Sequence, residues 1–297
     1  MRKAVLWVRS IALMMAAMLA AGTAMAETIR VNVGAPADVL ADYNKWLGGR
    51  DVTTIRDFSG EGSRRDVVEL ALVVQAIDRA DVDIEVNFVG MNTAADILEG
   101  IRSGEIVAGG TGLWKSDLST FWTDLYITTA LVPRDSFEAG FYTSPDNFRA
   151  LNVRTREELL NLSAISSRQW TADWKTLSGL GIDDLYDTPE WPDMVDRVRN
   201  LEVDYLLAPF QPTEGMSLVL EGDQRLVPIP NFKIGLAGSR HLAVSRNHPD
   251  GQIFNAALHL GLLLLKEEGI VDKAYRDSGF YNSNVVNWDI IKADGAL

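Results

Sequence analysis

Residues 83–112 read DIEVNFVGMNTAADILEGIRSGEIVAGGTG and decide the fold, because they contain a strand, a helix and a second strand in one stretch. Residues 83–90 alternate and end in glycine, which is typical of a strand. Asn92 or Thr93 caps a helix, and Gly104 ends it. The last eight residues predict another strand that leads into a glycine-rich turn. A strand–helix–strand order favours a parallel α/β layer.

The same order extends in both directions along the chain. On the N-terminal side, a strand at 28–34 and an amphipathic helix at 64–79 are predicted. On the C-terminal side, strands are predicted at 138–144, 164–167, 203–210 and 241–245, and helices begin at Thr155, at Trp170 and near Pro189. Two further helices are predicted at 252–268 and 271–278. The chain therefore predicts two α/β units and a C-terminal segment that rejoins the first unit.

The first 26 residues have the three parts of a secretory signal peptide. Three basic residues precede an apolar core at 11–21, and Ala24-Met25-Ala26 forms an A-x-A cleavage site. The apolar core is shorter than the roughly 20 residues that a membrane-spanning helix needs. We therefore expect export to the periplasm, with cleavage after Ala26.

The charge and composition of the mature chain exclude several classes of function. It has 25 basic and 41 acidic residues, a net charge of −16, because the signal peptide carries three of the 28 basic residues. Such an acidic surface disfavours nucleic acids and anionic lipids as partners. The absence of cysteine excludes a thiolate nucleophile and a Cys-ligated metal. The histidines, at 241, 248 and 259, form no metal-binding pattern, and we expect neither metal nor cofactor.

Two loops at the C-terminal ends of predicted strands are candidates for a binding site, because small ligands of open α/β sheets bind there. The first loop contains Thr111, Trp114 and Lys115. The second contains Arg168, Trp170 and Thr171 before a helix N-terminus, whose free N–H groups favour an anion. Together they match a small solute with a carboxylate and an apolar part. The alternative is that Arg168 pairs with a surface acid and that Trp174 packs on the sheet.

Residues 97–142, ILEGIRSGEIVAGGTGLWKSD…FWTDLYITTALV…EAGFY, resemble the first-lobe stretch of type 2 periplasmic solute-binding proteins. The segment SRHLAVSRNHPDG, the long helix after it and KEEGIVDKAYRDSGF are similar to the return segment of that family. The resemblance covers nearly the whole mature chain. It implies two lobes, each a mostly parallel sheet flanked by helices, joined by two crossings and closing on a ligand. Mapped onto this chain, lobe 1 would be residues 27–134 and 233–297, and lobe 2 residues 135–232.

The chain departs from the amino-acid-binding members at two positions. Their T-x-x-x-x-R-like loop grips the ligand carboxylate, whereas here Thr111 is followed by Lys115 and Ser116 where the arginine would fall. The usual aspartate of the G-x-x-D turn is also absent after Gly104. Both departures argue against a plain α-amino acid as ligand. Plausible replacements for the missing cation are Arg65, at the start of the first predicted helix, and Arg240, just before the returning strand.

The resemblance implies a monomeric periplasmic binding protein, not an enzyme, that captures a small anionic or zwitterionic solute for an inner-membrane transporter. The expected ligand-binding residues are Arg65, Thr111, Trp114, Lys115, Arg168, Trp170, Thr171 and Arg240. The cations among them would hold the anionic group, and the tryptophans would cover the apolar part.

Two alternatives keep the same fold. In the first, the protein is a sensory or accessory protein that docks on a membrane receptor or regulator. In the second, it is a periplasmic enzyme of the dehydratase kind, which needs a general acid in the cleft. Asp173 is the candidate for that acid.

Overall fold

The computed structural model describes residues 28–211, 213–220 and 224–292. The predicted signal peptide lies outside these ranges. Within them, no helix combines the length and the apolar character needed to cross a membrane. Two β-sheets with flanking helices make up the architecture.

The N-terminal part builds the first sheet around β1. In chain order its elements are β1 (Ile29–Pro36), α1 (Ala37–Leu47), α2 (Arg65–Arg79), β2 (Ile84–Met91), α3 (Ala94–Ser103), β3 (Ala108–Gly109), β4 (Leu113–Trp114), α4 (Lys115–Ser119) and β5 (Leu125–Ile127). β1 forms because Val31 and Val33 face the core while the alternate residues Arg30 and Asn32 face solvent. The predicted start of α3 is confirmed, since the Thr93 side chain accepts from the Asp96 backbone N–H in a capping box.

The middle of the chain builds the second sheet. Its elements are β6 (Glu138–Thr143), α5 (Phe148–Leu151), α6 (Arg156–Leu160), β7 (Ala164–Ser166), α7 (Thr171–Gly179), β8 (Leu185–Asp187), α8 (Trp191–Arg199), β9 (Tyr205–Pro209), β10 (Leu218–Val219) and β11 (Arg225–Gly235). The helix predicted to begin at Thr155 is α6, and a capping box of Thr155 and Glu158 starts it.

The C-terminal part returns to the first sheet and then reaches the second. Its elements are β12 (Arg240–His241), β13 (Ala243–Ser245), α9 (Gly251–Glu267), α10 (Ile270–Asp277) and β14 (Asp289–Ile291). The helix α9 packs against α2 at very short range, because a Cβ built on Gly261 would lie 1.8 Å from the carbonyl oxygen of Ala76. Only a glycine permits this approach.

The strand orders show two mixed sheets. The first has the order β2-β1-β3-β13-β5, in which β1 is parallel to β2 and β3, and β13 is antiparallel to both of its neighbours. The second has the order β10-β11-β6-β9-β7-β8, with β14 parallel to β11. In it, β6 is antiparallel to β9 and β11, while β7 is parallel to β8 and β9. This is the predicted arrangement of two α/β units with a returning C-terminal segment.

Two segments connect the lobes side by side. The backbone N–H of Leu131 donates to the carbonyl of Arg240 at 2.8 Å, and the N–H of Arg240 donates to Val132 at 2.9 Å. Further along, Leu236 donates to Phe137 at 3.0 Å. The two crossings are therefore hydrogen-bonded to each other, and they place the side chains of Phe137 and Arg240 between the sheets.

The predicted lobe boundaries, 27–134 with 233–297 for lobe 1 and 135–232 for lobe 2, stay a prediction. The pairing of the strands adds one detail to them. Residues 289–291, which the sequence analysis assigns to lobe 1, pair with Phe232–Ile234 of β11 in the second sheet. The tail therefore provides a further connection between the two sheets after α10.

Candidate ligand-binding site

A cavity of about 410 Å³ lies between the two sheets, at the crossings. We call it the central cavity. The first lobe contributes Ala94, Trp114 and Asp117, and the crossings with the adjoining strand β6 contribute Phe137, Ala139, Leu236 and Arg240. The second lobe contributes Gln169, Trp170, Thr171, Asp173, Trp191, Leu207, Ala208 and Pro209. Its volume is in the range of sites for small organic molecules.

Arg240 is the cation of the central cavity. Its guanidinium lies 4.7 Å from the ring centroid of Trp114 and 5.7 Å from that of Phe137. Nη2 donates to the carbonyl of Gly112, while the buried Nε has no hydrogen-bond partner within residues 28–211, 213–220 and 224–292. Burial, and then the positive charge of Arg65, lower the pKa of Arg240 to about 10. Arg240 is therefore still charged at neutral pH, and an anion in the cavity would stabilise it.

A buried network behind this cation holds it in place. The carboxylate of Glu69, with no exposed surface, accepts from Nη1 of Arg65 at 2.8 Å and from the N–H of Gly112 at 2.8 Å. It also accepts from the hydroxyl of Tyr275 at 3.0 Å. Burial alone would lower the pKa of Arg65, but the negative charges of Glu69 and Asp66, with the hydrogen bond to Glu69 and the nearby Tyr275, together offset it and raise that pKa. The backbone of Gly112 is thus held at its N–H by Glu69 and at its carbonyl by Arg240.

The second lobe provides an aromatic pair and a carboxylate. The rings of Trp170 and Trp191 lie 6.0 Å apart, centroid to centroid, with their planes 37° from each other. Trp170 is the N-cap of α7, and Asp173 is its third residue. Burial raises the pKa of Asp173 from its ordinary 3.8 to about 6, although Arg240 lowers it in part. A cationic group in the cavity would stabilise the charged carboxylate.

Four of the eight predicted residues line the central cavity, namely Trp114, Trp170, Thr171 and Arg240. They come from two loops and a crossing that the fold brings together. Asp173 disfavours the expected binding of an anion at the start of α7, because its carboxylate adds negative charge at that helix end. The ligand contacts of these residues stay a prediction.

The other four predicted residues do not line the central cavity. Arg65 lies behind it, paired with Glu69 and with its guanidinium 5.8 Å from the Phe137 ring. Thr111 is buried at the end of β3, and Lys115 is exposed at the start of α4. The Arg168 side chain, 71% exposed, pairs with Asp187 at 3.3 Å and lies over the Trp174 ring at 4.9 Å. This is the surface pairing that the sequence left open as the alternative for Arg168.

No sequence pattern identifies Trp191, Phe137 or Glu69 as part of the site. Trp191 begins α8, 21 positions after Trp170, so no local pattern connects the two rings. Glu69 lies within the apolar face of α2, where only its buried position shows its role. Among the residues that the structure describes, no group of three histidines or carboxylates is placed to hold a metal ion.

We expect Asp173→Asn to stabilise the ligand-free protein, and to do so only above about pH 4. Below that pH the carboxyl is neutral in the folded and unfolded states. Between pH 4 and 6 the unfolded chain loses the proton first, because the folded-state pKa is raised, so stability falls as pH rises. The gain of the variant at pH 7.5 should be about 1 kcal/mol, allowing for partial exposure of the side chain.

The measurement is the melting temperature of both proteins from pH 3.5 to 8. Asp117→Asn is the matched control, since Asp117 lines the same cavity with an exposed side chain. An equal gain for Asp173→Asn at pH 3.5 and pH 7.5 would show that the charge of Asp173 is not the cause.

Comparison with known proteins identifies the fold through solved structures. No family model and no curated protein sequence matches the chain. The periplasmic VFT2 domain of Bordetella pertussis BvgS is 15% identical with a TM-score of 0.54, over 85% of this chain and 94% of that chain. The probable amino-acid ABC transporter extracellular-binding protein ytmK of Bacillus subtilis is 11% identical with a TM-score of 0.55, over 84% and 97%.

A third similar structure is substrate-binding domain 2 of Lactococcus lactis GlnP in its open conformation. It is 12% identical with a TM-score of 0.50, over 86% of this chain and 98% of that chain. Each likeness covers nearly the whole of the compared structure, so the shared fold includes both lobes. The chain has the two-lobed α/β fold of the type 2 periplasmic binding proteins.

Proposed function

We propose that the protein is a periplasmic solute-binding protein that captures a small zwitterionic organic solute between its lobes and delivers it to an inner-membrane transporter. The observation that carries the proposal is one cavity between two lobes that contains both an unpaired cation, Arg240, and a desolvated carboxylate, Asp173. The similar structures include binding proteins of this kind, which supports solute binding.

The anionic end of the solute would bind at Arg240. Among the residues that the structure describes, Arg240 forms no ion pair, and its Nε lacks any partner. A carboxylate accepts well from a guanidinium, and such charge-assisted hydrogen bonds are about twice as strong as neutral ones. The departure from the family's T-x-x-x-x-R loop fits this role, since Arg240 on the crossing replaces the arginine that is missing after Thr111.

The cationic end would bind at Asp173. This is the one charged side chain that the second lobe contributes to the central cavity among the described residues. Since Arg240 lies at the crossings and Asp173 in the second lobe, a zwitterion bound to both would connect the second lobe to the crossings. Binding then favours the closed state, because the ligand makes more contacts there than in the open state.

The test begins with native mass spectrometry of the mature protein purified without denaturation from the periplasm. We expect a co-purified molecule with one anionic and one cationic group. Adding that molecule to ligand-free protein should raise the melting temperature and reduce the radius of gyration in small-angle X-ray scattering. A solute that raises the melting temperature without any compaction would contradict capture by closure, and a purely anionic solute would contradict the zwitterion.

Delivery to a transporter is tested in cells. Deleting the gene should abolish uptake of the radiolabelled solute at low external concentration, and the wild-type gene on a plasmid should restore it. Unchanged uptake together with tight binding in vitro would point instead to docking on a membrane receptor or regulator.

A further inference from the structure

We infer that the outer face of α9 is a docking surface for a second copy of this chain, and that two copies associate reversibly through antiparallel α9 helices. The inference goes beyond the proposed function and does not depend on it. It departs from the monomer that the family resemblance implies. The face consists of Ile253, Ala256, Leu260 and Leu263, which we call the outer stripe.

The outer stripe is apolar and exposed. Its large side chains, Ile253, Leu260 and Leu263, are 41%, 48% and 39% exposed, and Ala256 between them is exposed as well. The opposite face of α9 packs against α2 and β13 and contains the buried residues of the helix. A helix that is apolar on both faces is typical of one that is covered on both, so the outer stripe is a candidate contact surface.

The outer stripe lies in a stretch of the chain without charge. Between Asp250 and Lys266 the sequence contains no aspartate, glutamate, lysine or arginine. The mature chain carries 25 basic and 41 acidic residues, so two copies repel each other and can approach closely only through an uncharged surface. The outer stripe is such a surface, and it offers a partner apolar contacts rather than ion pairs.

The spacing of the outer stripe fits a copy of itself. Its residues are separated by three, four and three positions, which is the a–d pattern of a seam between two helices. This spacing is the same in both chain directions. In an antiparallel pair, Ile253 therefore lies against Leu263 of the second copy, and Ala256 against Leu260 of the second copy. The small side chain of Ala256 leaves room for the large one of Leu260.

The charges at the ends of α9 favour the antiparallel orientation. Glu267 and Glu268 lie at the C-terminal end, where the helix dipole is negative as well. At the N-terminal end the dipole is positive, and the exposed Arg246 forms no ion pair among the described residues, although Asp250 adds one negative charge there. A parallel pair would place the acidic ends of both copies side by side. An antiparallel pair places each acidic end beside the N-terminal end of the other helix.

The size of the contact makes the dimer reversible. The outer stripe extends about 15 Å along α9, and a contact of this length buries less than the roughly 1,200 Å² of stable complexes. Of the described residues that line the central cavity, none belongs to α9. Association through the outer stripe therefore leaves the central cavity of each copy free to bind its solute.

Sedimentation equilibrium of the mature protein at pH 7.5, from about 5 to about 500 µM, tests the association. We expect the mass to rise with concentration from one chain toward two, and to rise further when salt screens the repulsion between the copies. Leu260→Glu should weaken the association about tenfold or more, because it places a charge in the apolar seam. Val219→Glu is the matched control, since it adds the same charge at a valine 61% exposed on β10, and it should leave the association unchanged apart from that added charge.

Cross-linking tests the orientation, because the chain has no cysteine of its own. A mixture of Ala256→Cys and Leu260→Cys proteins should form the mixed disulfide about tenfold faster than either variant forms a disulfide with itself, since only the mixed pair shares a layer of the seam. Equal cross-linking of each variant with itself would overturn the antiparallel pair. The mass of one chain at every concentration, or equal association of Leu260→Glu and Val219→Glu, would overturn the docking surface. None of these outcomes bears on solute binding, which the co-purified molecule decides separately.

Discussion

Replacing Glu69 by alanine should lower the free energy of unfolding by about 3–5 kcal/mol. The change removes one partner of a buried ion pair, and the other partner, Arg65, stays inside with only the more distant Asp66, at 3.7 Å, to balance its charge. The N–H of Gly112 and the hydroxyl of Tyr275 lose their acceptor at the same time. Urea denaturation of the mature chain, followed by tryptophan fluorescence, measures the loss.

Two controls separate this buried network from ordinary contacts. Tyr275→Phe removes a single hydrogen bond to Glu69 and should cost about 1 kcal/mol. Glu85→Ala breaks an ion pair with Arg30 whose side chains are 60% and 73% exposed, and should cost less than about 1 kcal/mol. A loss for Glu69→Ala no larger than that for Glu85→Ala would mean that Glu69 does not hold this part of the molecule together.

Replacing Arg240 by glutamine should weaken the binding of the zwitterionic solute about 100-fold. Hydrogen bonds to a charged group contribute about 1.5–3 kcal/mol each, which is about 10- to 150-fold in affinity. Stability of the ligand-free protein should fall by less than about 1 kcal/mol, because Arg240 is a desolvated cation with no ion pair among the described residues. Calorimetry with the co-purified solute measures the affinity, and urea denaturation measures the stability.

The exposed cations that the sequence predicts as ligand contacts provide the matched controls. Arg168→Gln removes a guanidinium that is paired with Asp187 at the surface, and Lys115→Gln removes an exposed ammonium. Each should change the affinity less than about twofold. A loss in Arg168→Gln as large as that in Arg240→Gln would restore the assignment made from the sequence and contradict the one made from the cavity.

Local patterns in the sequence predicted most of the elements, because each has a cap or a clear period. The helix cap predicted at Asn92 or Thr93 is at Thr93, and the Thr155 capping box and the Gly104 stop are confirmed as well. The helix Ala37–Leu47 was missed, since its buried residues, Val39, Tyr43 and Trp46, lie in a segment with many polar residues and no N-cap side chain. The strand predicted at 105–112 is short in the structure, where only Ala108–Gly109 pair as a strand.

The candidate site was only half predictable, for a physical reason. Trp114 and Trp170 follow strands, and the ends of strands meet in the cleft, so their place follows from the order of elements. Arg168 has the same sequence context, yet its long side chain turns outward to Asp187. The sequence indicates where the backbone of a residue lies in the fold but not which neighbour its side chain contacts. Trp191 and Glu69 become part of the site only through tertiary packing.

The segment between α10 and β14 limits how far the two lobes can separate on its side of the molecule. Phe280 packs against Phe137 and Tyr275, whereas Val285 is buried in a cluster with Phe210 and Met216. Five peptide steps join Phe280 to Val285, so their Cα atoms can never be more than about 18 Å apart. The backbone after α10 therefore limits the separation of the two lobes on its side. A large opening of the cleft would occur on the opposite side, where Trp114 and Trp170 line the central cavity.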